Sequence, residues 1–178
     1  YGYHDINLDL MAQSGDIAGT INSTDPNIRF NANLAADMSA TYPKVKLNMM
    51  IDSVNLQNLK LIDDNFRYHG KIDADFETAD LNFLNGRLNI TQSSIAYNEE
   101  RYALDTISLI ARADTSRNTL MLRSEFLRAH LVGKYKLTEL GASMQDVLRV
   151  YYNPKNEPPK ELKYDAQTFE FSATLSYS

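Results

Sequence analysis

Apolar and polar residues alternate one for one along much of this 178-residue chain, the period of a β-strand with one apolar and one polar face. Ile28, Phe30, Ala32, Leu34, Ala36 and Met38 alternate with Arg29, Asn31, Asn33, Ala35 and Asp37. Val45, Leu47, Met49 and Ile51 repeat the pattern, as do Phe66, Tyr68, Gly70, Ile72, Ala74 and Phe76. A helix would spread these acidic and apolar groups round all its sides, so the pattern predicts strands. Shorter strands are predicted at Ile6–Leu10, Leu88–Ile90, Ile95–Tyr97, Tyr102–Leu104, Ile107–Ala111, Leu120–Leu122, Leu131–Leu137 and Phe169–Tyr177. Turn chemistry separates them at Ser14-Gly15-Asp16, Thr24-Asp25-Pro26-Asn27, Asn85-Gly86, Asn98 to Arg101 and Ser116-Arg117-Asn118. Roughly a dozen strands with short connections predict an all-β fold, a long antiparallel meander rather than βαβ units.

Two stretches break the alternation. Asp52 to Asp63 fits neither period and predicts a short helical turn or an irregular edge. Leu140, Met144, Val147, Leu148 and Tyr151 fall on one helical face, predicting an amphipathic helix over 138–152. Asn153-Pro154 ends it, and the proline-rich, charged stretch 154–163 reads as a connector to a final strand within 164–178. Residues 1–153 then form the sheet segment that includes the helix. The absence of a leader and the opening at Tyr1 suggest a piece of a longer protein.

Hydrophobic residues make up 43% of the chain, enough for a core, and the net charge is −5. The 18 lysines and arginines are scattered, so no basic stripe offers a nucleic-acid surface. No apolar run reaches the ~18–20 residues of a spanning helix. With no cysteine, disulfides, thiolate nucleophiles and Cys-ligated zinc are all excluded. Asp73, Asp75 and Glu77 share one strand face, but an EF-hand loop counted from Asp73 would need Gly and Glu where Thr78 and Leu84 stand. That cluster, with Asp80, reads as a solvated face. His4, His69 and His130 have no ligand spacing and read as surface residues. No nucleophile elbow, phosphate loop or dinucleotide fingerprint occurs. The expectation is a protein without catalytic residues, metal or cofactor.

A sheet with one apolar face must cover it, in a sandwich, in a closed barrel, or in a trough that holds something apolar. Small residues among large ones (Ala32, Ala36, Gly70, Ala74, Ala111) suit a tapered core or a lined cavity equally. Gly70 and Gly133 fall on the apolar face, where a missing side chain permits a bend or a close approach.

Several phrases carry a family likeness: YHGKIDADF (Tyr68–Phe76), LNFLNGRLNI (Leu81–Ile90), YALDTISL (Tyr102–Leu109), TLMLRSEF (Thr119–Phe126) and LVGKYKL (Leu131–Leu137). In this order they resemble the recurring plan of the TamB family, within the AsmA-like group of bacterial envelope proteins. The helix ending in YYNP resembles the branch found in Bacteroides-like bacteria. The likeness covers about half the chain, from Phe66 to Tyr152. It implies an interior segment of a U-shaped sheet, a β-taco with an apolar groove, in a periplasmic protein anchored in the inner membrane. It further implies transport of phospholipid between the two membranes, or assistance to outer-membrane protein assembly. The implied partners are phospholipid acyl chains, adjacent segments of the same protein and an outer-membrane barrel. The groove-lining candidates are Phe30, Leu34, Leu47, Met49, Ile72, Phe76, Leu88, Leu109, Leu122 and Leu131. Other readings are a lipocalin-like closed barrel with a small apolar ligand, and a scaffold module whose core fills itself.

Overall fold

A computed structural model describes residues 5–98, 100–104, 106–141 and 167–176. Eleven strands follow in chain order: β1 (Ile6–Gln13), β2 (Asp16–Asp25), β3 (Ile28–Asp37), β4 (Lys44–Asn55), β5 (Phe66–Thr78) and β6 (Asn85–Tyr97). After them come β7 (Glu100–Leu104), β8 (Ile107–Ala113), β9 (Asn118–Arg123), β10 (Leu127–Lys134) and β11 (Thr168–Leu175). All belong to one antiparallel sheet in which each strand lies beside its sequence neighbour. The exception is β7, which pairs with the end of β6 while β8 pairs with its beginning. β7 and β8 are thus two halves of one long strand, interrupted near Thr106. The sheet is all-β, as the alternation predicts, and it is open. Among the described residues, β1 pairs only with β2 and β11 only with β10, so these strands do not form a closed barrel.

Local chemistry accounts for the tight corners. Ser14 (φ 52°) and Gly15 (φ 97°) join β1 to β2, the two left-handed residues that a twisted hairpin favours. Between β8 and β9, the Asp114 carboxylate accepts from Ser116 N at 2.6 Å, Ser116 Oγ at 2.5 Å and Arg117 N at 2.9 Å. These bonds, led by the Ser116 hydroxyl, hold its carboxyl below the usual carboxylate range. Because the folded value is depressed, the turn's contribution is full above the unfolded value near 3.8 and is lost as pH falls through the folded one. Asp114→Ala is therefore expected to lower the urea midpoint at neutral pH, and the gap from wild type to close on acidification. A gap that stays constant with pH would remove the carboxylate from this account.

A line of irregularities crosses the sheet. β4 bulges at Asp52, between Ile51 and Val54. β6 bulges at Gln92, whose φ is 51°, opposite the His69–Lys71 stretch of β5. The break between β7 and β8 continues the same line. Bulges bend a strand and sharpen its twist, so these points form a crease at one level of consecutive strands.

Some expectations are corrected. Asn85-Gly86 is not a turn; it opens β6, and residues 79–84 make the connection. Leu88–Ile90 and Ile95–Tyr97 belong to one strand rather than two. β4 runs on to Asn55, into the stretch expected to be irregular from Asp52, and that bulged extension still pairs with β5. The strand expected at Leu131–Leu137 starts earlier, at Leu127, and ends at Lys134, so Tyr135 and Leu137 leave the sheet. Residues 137–141 are helical. The rest of the helix expected over 138–152, and the connector 154–163, lie outside the described residues. No helix among the described residues is long and apolar enough to cross a membrane.

Candidate functional site

The strand registers assemble the apolar positions into four rows, two of which run from β1 to β11. One row passes through Leu10, Gly19, Leu34, Leu47, Ala74, Leu88, Leu109, Leu122, Ala129 and Ala173. A second passes through Ala12, Ile17, Ala36, Val45, Phe76, Gly86, Ala111, Leu120, Leu131 and Phe171. A third links Leu8, Ile21, Ala32, Met49, Ile72, Ile90 and Ile107. A fourth, shorter row holds Ile6, Ser23, Phe30, Ile51 and Gly70. No charged residue stands in any of them. Every groove-lining candidate falls on this one face: Leu34, Leu47, Leu88, Leu109 and Leu122 in the first row, Phe76 and Leu131 in the second, Met49 and Ile72 in the third, Phe30 in the fourth. Ile21, Ile90, Ile107 and Leu120 share the face without having been among the candidates. Their place in short alternating stretches was the signal for them.

All described strands lie in this one sheet, so no second sheet covers the face. Buried apolar side chains among the described residues are few: Ala32, Ala111, Leu131 and Tyr135. The larger residues of the central strands are half-buried by their neighbours. Exposure rises at both ends of the meander, with Leu8 at 62%, Phe171 at 57% and Leu175 at 62%.

Polar groups fence the rows along the strand direction. At one end Tyr68 lies back over Gly70, and its Oη meets Ser93 Oγ at 3.2 Å. A Cβ on Gly70 would stand 2.8 Å from that Ser93 oxygen and in contact with the tyrosine ring, so the glycine makes room for the tyrosine. Buried Ser23 and Asp25 lie at the same end, where Asp25 Oδ1 accepts from Asn27 N at 2.7 Å. At the other end Asn82 Oδ1 accepts from Thr138 N at 3.2 Å and from Thr138 Oγ1 at 3.0 Å. Asn118 donates there to the Tyr135 carbonyl at 2.8 Å. Tyr42 stacks on Phe83 with ring centroids 4.9 Å apart, joining two loops of that end. Tyr135 turns in beneath the loops and meets Phe169 edge-on at 6.4 Å. Burial raises its phenol pKa. Sequence reasoning placed Tyr135 in a strand and so missed it as a closing residue.

The opposite face carries the charge. Asp75 lies between Lys46 and Arg87, 3.8 Å from each, and Lys71 pairs with Asp73 at 3.0 Å. Asn48 donates to Asp73 as well. Asn33, Asn48 and Asn89 join Lys46, Asp73, Asp75 and Arg87 round an open recess of about 530 Å³. Such exposed pairs contribute little to stability, and each carboxylate already has its cation, which fits the solvated reading of Asp73 and Asp75. His69 Nδ1 faces the Asp52 carbonyl at 3.1 Å, beside the β4 bulge. His130 sits on the polar face between Met121 and Ser172. No group of acids and histidines among the described residues is placed to hold a metal ion. Among the described residues the apolar face offers a wide, uncharged hydrocarbon surface fenced by hydroxyls, amides and the buried Asp25 carboxylate. Compared with protein-family models, curated proteins and solved structures, the chain matches none.

Proposed function

We propose that the apolar face is the wall of a groove that carries phospholipid acyl chains, in a segment of a TamB/AsmA-like envelope protein. The observation that carries this reading is the set of uncharged rows, two of them continuous from β1 to β11, with no second sheet over them among the described residues. Three two-residue steps from the Phe30 row to the Ala36 row span roughly 20 Å, and nine strand spacings span about 43 Å. An acyl chain fits such a surface along either direction. Each CH2 removed from water gains about 0.8 kcal/mol, so no specific contact is needed to hold a tail. In this reading the sheet is curled about its apolar side into a U, the bulges at Asp52 and Gln92 supplying bend. The setting is the periplasm, between an inner-membrane anchor and an outer-membrane barrel partner, with adjoining segments of the same protein continuing the wall. Assistance to outer-membrane protein assembly would use the same surface on nascent strands. The protein acts without a catalytic residue.

The test is mass spectrometry of organic extracts from the chain purified without detergent from a bacterial envelope, beside a mock purification. Phospholipid enriched over the mock is the expected result. An extract no richer than the mock would leave the face as a self-filled scaffold and end the lipid reading.

A further inference from the structure

On the solvent face, Lys44 stands opposite Asp37, and Asp75 stands between Lys46 and Arg87, with every pair within 3.8 Å. Asp16 also stands opposite Asp37, and there Lys44 offsets the like charges from the other side. Arg123 of β9 and Arg128 of β10 depart from this matching. They are direct cross-strand partners on the solvent face, and both are exposed. The Ser124 N–H donates to the Leu127 carbonyl at 2.8 Å, so those two residues form a hydrogen-bonded pair. Arg123 and Arg128 are then the adjoining non-hydrogen-bonded pair, the closer kind, with Cα atoms about 4.5 Å apart. Their row continues to Ser108 on one side and Thr174 on the other. The next row on that face, Ile110, Met121, His130 and Ser172, again holds no acid. Glu125, in the turn between the two strands, is the nearest acid in sequence. Among the described residues no carboxylate forms an ion pair with either arginine. Like charges directly opposite destabilise a sheet, so two guanidiniums are held together at a cost that their neighbours do not offset.

We propose that Arg123 and Arg128 together bind a phosphate group. Two planar guanidiniums side by side present forked donors, which phosphate oxygens accept in pairs. A phosphate monoester carries about −1.5 to −2 charge at pH 7 and so matches both cations, where a carboxylate matches one. The Ser108 and Thr174 hydroxyls flank the pair in its row as further donors. The pair lies on the face opposite the apolar rows, so the proposal goes beyond lipid carriage and stands without it. The first test is an amide NMR titration of the 178-residue chain with inorganic phosphate at constant ionic strength. Saturable shifts centred on β9 and β10 are expected, with affinity weakened roughly tenfold or more in Arg123→Gln and in Arg128→Gln. Arg87→Gln, whose cation already meets Asp75, should bind as wild type does. Urea unfolding supplies a readout that a purely structural role would not move. In sodium chloride each Gln variant should be at least as stable as wild type, because the repulsion is relieved. In sodium phosphate of equal ionic strength, wild type should gain more than either variant. Glycerophosphoethanolamine, a diester headgroup without tails, is the second probe. Saturation by it as well as by phosphate assigns a lipid headgroup as the source, and saturation by phosphate alone assigns free phosphate or a monoester. A titration that does not saturate with either probe overturns the proposal, as do variants that bind like wild type. So does an oligoglutamate peptide that saturates the pair where neither phosphate probe does.

Discussion

Arginine at Leu34 or Ile72 is expected to empty the protein of phospholipid while leaving the sheet folded. Leu34 stands between Gly19 and Leu47 in its row, and Ile72 between Met49 and Ile90. Both are half-buried in the uncharged centre of the face. A guanidinium there meets no carboxylate in its row, and an apolar ligand laid over it would have to strip its water. That desolvation costs several kcal/mol, and each 1.4 kcal/mol is tenfold in affinity, so lipid recovery should fall at least a hundredfold. Asn33→Arg is the matched control. One residue along β3, it points to the solvated face among Thr20 and Asn48, and it should leave lipid content unchanged. Circular dichroism separates loss of ligand from loss of fold. Undiminished lipid in folded Leu34→Arg and Ile72→Arg would show that the tails lie elsewhere.

Gly133→Ala is expected to destabilise the sheet strongly for so small a change. Gly133 has φ 151°, a conformation that side chains rarely adopt, and a Cβ there would fall on the Thr168 carbonyl oxygen. Strain of this kind costs about 1–3 kcal/mol, and the collision is with backbone, which cannot rotate aside. β10 and β11 must separate to admit the methyl group. The urea midpoint should drop, and amides of β11 should exchange faster. Gly141→Ala is the comparison: nothing among the described residues lies within 4 Å of its Cβ position, and in a helical segment alanine is favoured over glycine by about 0.8–1.0 kcal/mol. Equal midpoints for Gly133→Ala and wild type would mean that β10 and β11 meet less closely than described.

The face was legible because side chains on a strand alternate strictly, so Ile28 to Asp37 declares its two sides without any tertiary information. What misled was the change of parity within single strands. In β4 the apolar positions are odd from Val45 to Ile51 and even at Val54. In β6 they are even at Leu88 and Ile90 and odd at Ile95 and Tyr97. Between β7 and β8 they pass from Leu104 to Ile107. Each switch sounds like the end of one strand and the start of another, whereas in β4 and β6 one extra residue, Asp52 or Gln92, restores the side chains to the same face. Three parity switches at one level of the sheet are the crease itself, written in sequence. Gly70 and Gly133 were legible as positions on the face, and only the neighbours Tyr68 and Thr168 give the reason. Row membership was not legible, since register is a relation between strands.

Each strand of the main path pairs with its neighbour in sequence, and this ordering bears on how the chain acquires its shape. Among the described strands, no pairing except that of β10 with β11 waits for the closure of a long loop, so the chain escapes much of the entropic delay that slows most β-proteins. Hairpins can add one after another as the polypeptide emerges, each templated by the last. Stability then approximates a sum over successive pairings, with β4, β5 and β6 supplying the longest and, among the described residues, β1 and β11 paired on one side only. A molecule of this kind loosens from its margins inward, in steps, and its middle outlasts its ends.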